Sequence, residues 1–390
     1  MGLDAQPLEK PAQSAAKTPR PLPEIRVKSR SMREDPVPLE GAAHPDDVPS
    51  EARAAVTPLE PVWRTGKKKG RSRLRKRLSR YGGYLAIRAA HAVLSRLPWC
   101  IGRGLAWLSG SVAYLLLGRE RNIALQSLTR VYGHEKSPQE IRRLTRAVFQ
   151  HTASVILDWI IIRRWSKEKL ERRFPEFIAE VRATQATVHA LGGQGVVGIG
   201  AHCGNWELQG HFFSLFAPGM LVPLAKRLYY EKYNDFLHRL RTAHGLEVIY
   251  TDESARKMLK VVDDGKVLSL LCDQDLRTNS GVFVDFFGLP AYTVTFPVDI
   301  ARRKKAKMTV SLIVREGKSF RVVTRGPYDL PETGDAKADT HTATQMWTTL
   351  LEEEIRKRPE QWSWVHPRWR TTPDRPRGQL DSKLRRRRPD

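Results

Sequence analysis

An imidazole and a carboxylate stand five residues apart in the string AHCGNWE, as His202 and Glu207. Moving an acyl group onto an alcohol needs a base for the hydroxyl proton, a partner that holds the base in one tautomer, and donors for the oxyanion. His202 and Glu207 could supply the first two. Gly204 between them permits a tight turn and a close approach of substrate. Asn205 is a natural helix cap, and the amides beyond it carry the positive end of a helix dipole. The spacing alone fits equally a turn histidine beside a helix-cap acid, and both readings stand on the motif. Cys203 reads as a small buried thiol rather than a nucleophile, since free cysteine is among the most buried residue types.

The elements around the motif must place it where a ligand can reach. An apolar run, Val196 to Ala201, reads as a strand, and HCGNWELQGHFFSLF as the turn and helix that follow. His202 then lies at the carboxyl end of a strand and Glu207 in the first turn of a helix, where α/β sheets bind their ligands. The flanking pattern predicts helices near 138–163, 165–190, 230–244, 253–264, 293–304 and 340–357. Strands are expected at 221–225, 246–250, 266–272, 308–315 and 319–324. This alternation predicts an α/β domain with a central mixed sheet flanked by helices. The run from Gly193 to Gly198 matches GxGxxG, but it begins a strand instead of following one, and no acid stands near Pro218. A dinucleotide-binding turn is therefore excluded.

Outside the catalytic segment, taken as 121–373, composition changes. Residues 1–65 are rich in Pro, Ala, Glu and Lys without apolar periodicity, which predicts a disordered tail. Residues 66–120 open on the basic run KKKGRSRLRKRLSR and continue as an apolar stretch interrupted by Arg88, His91, Arg96, Pro98 and Arg103. Its longest charge-free run, Gly104 to Gly118, is shorter than the roughly 20 residues of a clean span. A tilted or interfacial helix drawn to anionic lipid is expected, against the plainer alternative of two core helices broken at Pro98. Residues 374–390 form a basic tail. No signal peptide is read, which leaves the catalytic part on the cytoplasmic side.

The net charge of +25 favours anionic partners. Nucleic acid is the rival from another class, but no zinc-finger spacing, helix-turn-helix pattern or aromatic RNA-binding string is present, so none is expected. Cys100, Cys203 and Cys272 are far apart, with no CxxC spacing for a disulfide framework or zinc site.

The string GxxAHCGNWE resembles the HX4(D/E) motif of glycerolipid acyltransferases, in the version of the late acyltransferases of lipid A biosynthesis, the lauroyl and myristoyl transferases. LLCDQD, GVFVDFFGLPAYT with the following PVDIARR, and PEQWSWVHPRWRTTP extend the likeness over roughly residues 80–373. The resemblance implies a glycerolipid-acyltransferase-like fold with an N-terminal membrane-associated helical segment. It implies that His202 deprotonates the acceptor hydroxyl, that Glu207 orients His202, and that the hydroxyl attacks the thioester of an acyl carrier protein. Asp273 and Asp275 of the DQD segment would bind substrate or order the site, or else be solvated turn carboxylates. The family more often has Arg-Pro where this chain has Lys226, Arg227 and Leu228; Arg227 is favoured as the basic residue facing substrate. Trp362, Trp364, His366, Arg368 and Trp369 alternate as a final strand with rings on the core would, and Arg368 could contact a phosphate or the carrier's acidic surface.

Catalysis thus falls to His202 and Glu207, and substrate binding to Gly204, Asn205, Arg227, Asp273, Asp275 and Arg368. No cofactor or metal is expected, because a thioester is already activated. The implied partners are an acyl carrier protein, an anionic lipid acceptor and the membrane surface, at the cytoplasmic face of a bacterial inner membrane. A lipid A precursor is the first acceptor; a phosphatidylinositol mannoside, an ornithine lipid or a lysophospholipid is the alternative. A membrane-bound interaction protein with a dead site is the third reading, under which His202→Ala changes nothing measurable.

Overall fold

A computed structural model describes residues 73–276 and 280–374. The tail expected at 1–65, the basic residues ahead of Arg73 and the tail beyond Asp374 lie outside them. Among the described residues six helices come first: α1 (Arg73–Leu94), α2 (Trp99–Leu116), α3 (Gly118–Tyr132), α4 (Pro138–Ile162), α5 (Lys167–Arg173) and α6 (Pro175–His189). The α/β part then runs β1 (Val196–Gly200), α7 (Trp206–Phe216), β2 (Leu221–Ala225), α8 (Glu231–Thr242), β3 (Ile249–Tyr250), α9 (Ala255–Asp263) and β4 (Val267–Leu271). It closes with β5 (Gly281–Phe286), β6 (Leu289–Val294), α10 (Phe296–Lys304), β7 (Lys307–Glu316), β8 (Ser319–Tyr328), α11 (Ala336–Lys357) and a 3-10 turn at Pro359–Gln361.

The sheet order is β3-β2-β4-β1-β7-β8, and every neighbouring pair is parallel except β7 and β8. It is therefore the mixed sheet flanked by helices that the alternation predicts. Successive residues of a strand point to opposite faces, and the two cores follow from that period of two. Val197, Ile199, Leu268, Leu270, Val310 and Leu312 pack with Val262 of α9, Val298 of α10 and Trp347 of α11. Val196, Val267, Leu221 and Ile313 pack on the other face with Phe177 and Val181 of α6 and Phe212 and Phe213 of α7.

Local chemistry explains the boundaries. Ser137 and Glu140 form a capping box that starts α4. The helix expected over 165–190 is two helices, because Pro175 has no N–H to continue α5 and instead opens α6 at its first position. The expected strand at 246–250 shrinks to Ile249 and Tyr250 on the sheet edge. The helix expected from 293 starts at Phe296, since Thr293 and Val294 belong to the antiparallel hairpin β5–β6. Phe287 and Gly288 turn that hairpin with positive φ at both positions, the conformation that matches strand twist in a two-residue loop.

The helix α2 is tied to the body by its first residue. The Trp99 indole donates to Asp158 of α4 at 2.6 Å, and Asp158 also pairs with Arg315 of β7. Among the described residues no single helix is long and apolar enough to cross a membrane.

Candidate active site

The turn between β1 and α7 is fixed by backbone bonds that only a glycine permits. Gly204 has φ +66°, and a Cβ there would collide with the carbonyl of Ile313. Its amide donates to the Gln361 carbonyl at 2.9 Å, and the Asn205 amide donates to the Ile313 carbonyl at 2.7 Å. Asn205 then caps α7: its side-chain oxygen accepts from the Leu208 amide at 3.0 Å, while its amide group donates to the Val155 carbonyl at 3.2 Å. His151 of α4 sits 3.1 Å from the Gly204 carbonyl, and burial pushes its pKa down to about 4, so it donates as a neutral ring. Gly204→Ala is expected to destabilise the fold by on the order of 2–3 kcal/mol, combining left-handed strain with the collision. Urea denaturation would read this as a lower midpoint; a midpoint equal to that of the unaltered protein would show that the turn tolerates a Cβ.

His202 follows β1, and Asp273 follows β4. These strands are adjacent and parallel, with Gly200 opposite Leu271, so residues two beyond each strand meet at the same end. His202 Nδ1 lies 2.8 Å from Asp273 Oδ1. A carboxylate only accepts, so Nδ1 carries the proton and Nε2 is left as the basic nitrogen. The second oxygen of Asp273 accepts from the His202 amide at 2.9 Å and from the Trp362 indole at 2.8 Å. Asp273 is buried with three donors, and the His202 side chain keeps 22 % exposure.

The electrostatics follow from these contacts. Burial alone would lower the His202 pKa, but the charge and hydrogen bond of Asp273 outweigh it and raise the value, with a smaller push from the Glu207 charge. Burial would raise Asp273, yet His202, Trp362 and the His202 amide hold it well below the ordinary carboxylate range. Burial first, then Asp273, raises the Cys203 thiol, which is therefore inert as a nucleophile at neutral pH.

The remaining candidates separate into two groups. Gly204, Asn205 and Asp273 lie with His202. The carboxylate on the imidazole is Asp273, not Glu207: Glu207 receives two guanidinium nitrogens of Arg241 from α8, Nε at 3.0 Å. Asp275 is buried and accepts from the Thr371 amide at 2.7 Å and the Thr371 hydroxyl at 3.1 Å, pinning the C-terminal segment to the DQD loop. Arg227 donates to Asp252 and Glu253 and stacks over Tyr250, 4.0 Å from the ring centre. Arg368 is 1 % exposed and donates to the Tyr292 carbonyl at 2.6 Å and to Thr293. It faces the interior, where an outside phosphate or a carrier protein does not reach.

Two residues of this centre carry little signal in the sequence. Trp362 reads there as packing; it does pack on Phe286 and Trp364, but its indole N–H also holds Asp273. The segment is not a strand. It makes one antiparallel bridge, Trp362 to Cys203, flanked by the Ser363 amide donating to the His202 carbonyl at 3.0 Å. Gln274 lays its side-chain amide on the imidazole, 3.3 Å from Nδ1 and 3.5 Å from Nε2.

The chain is 24% identical over 299 residues to the lipid A biosynthesis lauroyltransferase of Escherichia coli (strain K12), covering 75% of this chain and 90% of that protein. It is 21% identical to the lipid A biosynthesis palmitoleoyltransferase of the same organism over 71% of this chain and 88% of that one. It is 26% identical over 209 residues to the phosphatidylinositol mannoside acyltransferase of Mycobacterium tuberculosis (strain ATCC 25618 / H37Rv), covering 52% and 62% of the two chains. Residues 68–371, most of the chain and all of the sheet with its His202–Asp273 centre, match the family described as bacterial lipid A biosynthesis acyltransferase, and the chain belongs to that family.

Proposed function

We propose that the chain transfers a fatty acyl group from an acyl carrier protein thioester to a hydroxyl of a lipid A precursor at the cytoplasmic face of a bacterial inner membrane. One observation carries the reading: an accessible imidazole whose Nδ1 is committed to a buried carboxylate, at the carboxyl end of a parallel strand in a family of acyltransferases. His202 Nε2 takes the hydroxyl proton, and the oxygen attacks the thioester carbonyl carbon. The carbonyl becomes an oxyanion, which collapses as the C–S bond breaks. The thiolate leaves and recovers the proton from Nε2. Asp273 keeps the imidazole in the required tautomer and stabilises its cationic form during the transfer. Glu207, held by Arg241, adds negative potential from α7.

The membrane placement is supported by α1 and α2. Leu85, Val93, Ile101, Trp107, Leu108, Leu115 and Leu116 are large, apolar and exposed, with Arg77, Arg80 and Arg88 along α1. Apolar and basic side chains together suit the headgroup region of an anionic bilayer. The protein is expected to float with vesicles containing phosphatidylglycerol and much less with phosphatidylcholine alone. Salt should weaken the first, and equal recovery with both vesicles would count against the charge contribution.

The deciding experiment incubates the purified chain with acyl carrier protein thioesters and two acceptors, a tetraacylated lipid A precursor and a phosphatidylinositol mannoside, and weighs the products. Acylated lipid A precursor is expected. Product on the mannoside alone would move the acceptor to that of the mycobacterial relative, and no acylated product on either would sink the reading.

A further inference from the structure

His366 faces the reacting histidine and takes no part in the proton and acyl transfers proposed for His202. Its ring centre is 5.8 Å from that of His202, with the planes inclined at 53°. The position is built in rather than incidental. The Ser363 amide holds the His202 carbonyl, and the His366 amide closes a turn back onto the Ser363 carbonyl at 3.3 Å. Trp362, one residue before Ser363, holds Asp273 through its indole. One short segment therefore bonds the base's backbone and its carboxylate and carries the second imidazole beside them.

An acyl transfer also needs a donor for the oxyanion, set beside the base. Several backbone amides of the β1–α7 turn are already committed: His202 to Asp273, Gly204 to Gln361, Asn205 to Ile313, and Leu208 to the Asn205 cap. The Gln274 amide lies on the His202 ring itself and competes for its nitrogens. His366 stands across from the ring and is only partly withdrawn from solvent. We infer that His366 is a catalytic residue of the proposed acyl transfer, donating a ring N–H to the thioester carbonyl oxygen as that oxygen becomes an oxyanion. Its own environment keeps it a neutral donor: withdrawal from solvent, then the neighbouring His202, and also Arg370, lower its pKa against an opposing pull from Asp273. A neutral ring beside His202 leaves the base its proton affinity, which a second imidazolium would reduce.

The role rests on the acyl-transfer reading, and the experiment separates the two. The unaltered chain, His366→Phe and His366→Gln are assayed for transfer from an acyl carrier protein thioester to the acceptor that the unaltered chain uses, with thermal unfolding as the fold control. Phe fills the same space without a donor and is expected to lower kcat by about a hundredfold or more with little change in KM. Gln restores an N–H and should recover much of the loss. Unfolding midpoints should stay together, because Phe and Gln keep the bulk of the side chain and its backbone turn to Ser363 is untouched. An active unaltered chain with an unimpaired His366→Phe overturns this role alone, as does a loss confined to KM or a Gln variant no better than Phe. An unaltered chain that is folded yet transfers nothing overturns the parent reading, and this role with it.

Discussion

Asp273→Asn is expected to remove nearly all turnover while the chain stays folded. The outcome depends on which end of the amide faces which donor. Two donors, the His202 amide and the Trp362 indole, converge on Oδ2, so an asparagine would place its oxygen there. Its NH2 would then face Nδ1 of His202, where Oδ1 now accepts. That nitrogen must become the acceptor, the ring proton moves to Nε2, and the base is lost. Swapping carboxylate for amide beside a catalytic histidine has this outcome in serine proteases, where the loss is about ten-thousand-fold, and a similar order applies here. Steady-state kinetics on both forms, with circular dichroism and thermal unfolding as controls, read it. Retention of a tenth or more of the activity would mean that Asp273 does not set the tautomer.

The pH profile gives a second reading of the same bond. Activity requires His202 unprotonated, so the rate rises with pH through its pKa, and Asp273 raises that pKa. Removing the charge lowers the pKa, and the acid limb of the residual Asp273→Asn activity should move to lower pH. Glu207→Gln should move it in the same direction by less, since Glu207 contributes charge and its hydrogen bonds go to Arg241. A larger shift from Glu207 than from Asp273 would restore the motif acid as the principal partner.

What the sequence could convey about this centre follows from distance along the chain. His202, Gly204 and Asn205 are local: an apolar strand, a glycine turn and a cap residue spell out their arrangement within ten residues, and β1, the turn and α7 form there. The partner of His202 is not local. Asp273 comes 71 residues later and meets it only because β4 pairs with β1 in the register that sets Leu271 beside Gly200. Nothing in the spacing of His202 and Glu207 tells the carboxylate on the ring from one held by a distant arginine. Arg241 carries no signal in α8, where it is one of several basic residues. Family likeness drew attention to the DQD segment, but the different tasks of its two acids emerge from the donors each meets, Trp362 and Thr371.

Arg368 shows the same limit from the opposite side. A guanidinium among tryptophans is the composition of an oxyanion site and also of a packed core, and burial separates them. Its two terminal nitrogens end on Tyr292 and Thr293 of the hairpin, an element that falls where the sequence pattern is too short and irregular to announce a strand pair. Elements with a clear apolar period came through with their ends nearly in place, β2 at 221–225 among them, while those decided by a proline or an edge position did not.

His202→Ala is the second change expected to abolish transfer, and it differs from the first in what it leaves behind. The backbone N–H of residue 202 still donates to the carboxylate and its carbonyl still accepts from Ser363, so the turn keeps its bonds. Only the base is missing, and a positioned general base contributes about a hundred- to ten-thousand-fold. The loss should fall on kcat, with KM for both substrates little changed, because the groups around the ring remain. Asp273 meanwhile loses the partner that depresses its pKa most. A depressed carboxylate contributes stability that is present above its unfolded pKa and lost as pH falls through the folded one. The variant should therefore be less stable at neutral pH by about 1–3 kcal/mol, the worth of a hydrogen bond to a charged group, with the difference narrowing in acid. The vacated space lies beside a carboxylate that accepts an imidazole N–H, so added imidazole should restore part of the rate. Unchanged transfer by His202→Ala would place the base elsewhere; lost transfer with partial imidazole rescue would tie the chemistry to this ring and set aside the reading of a dead site.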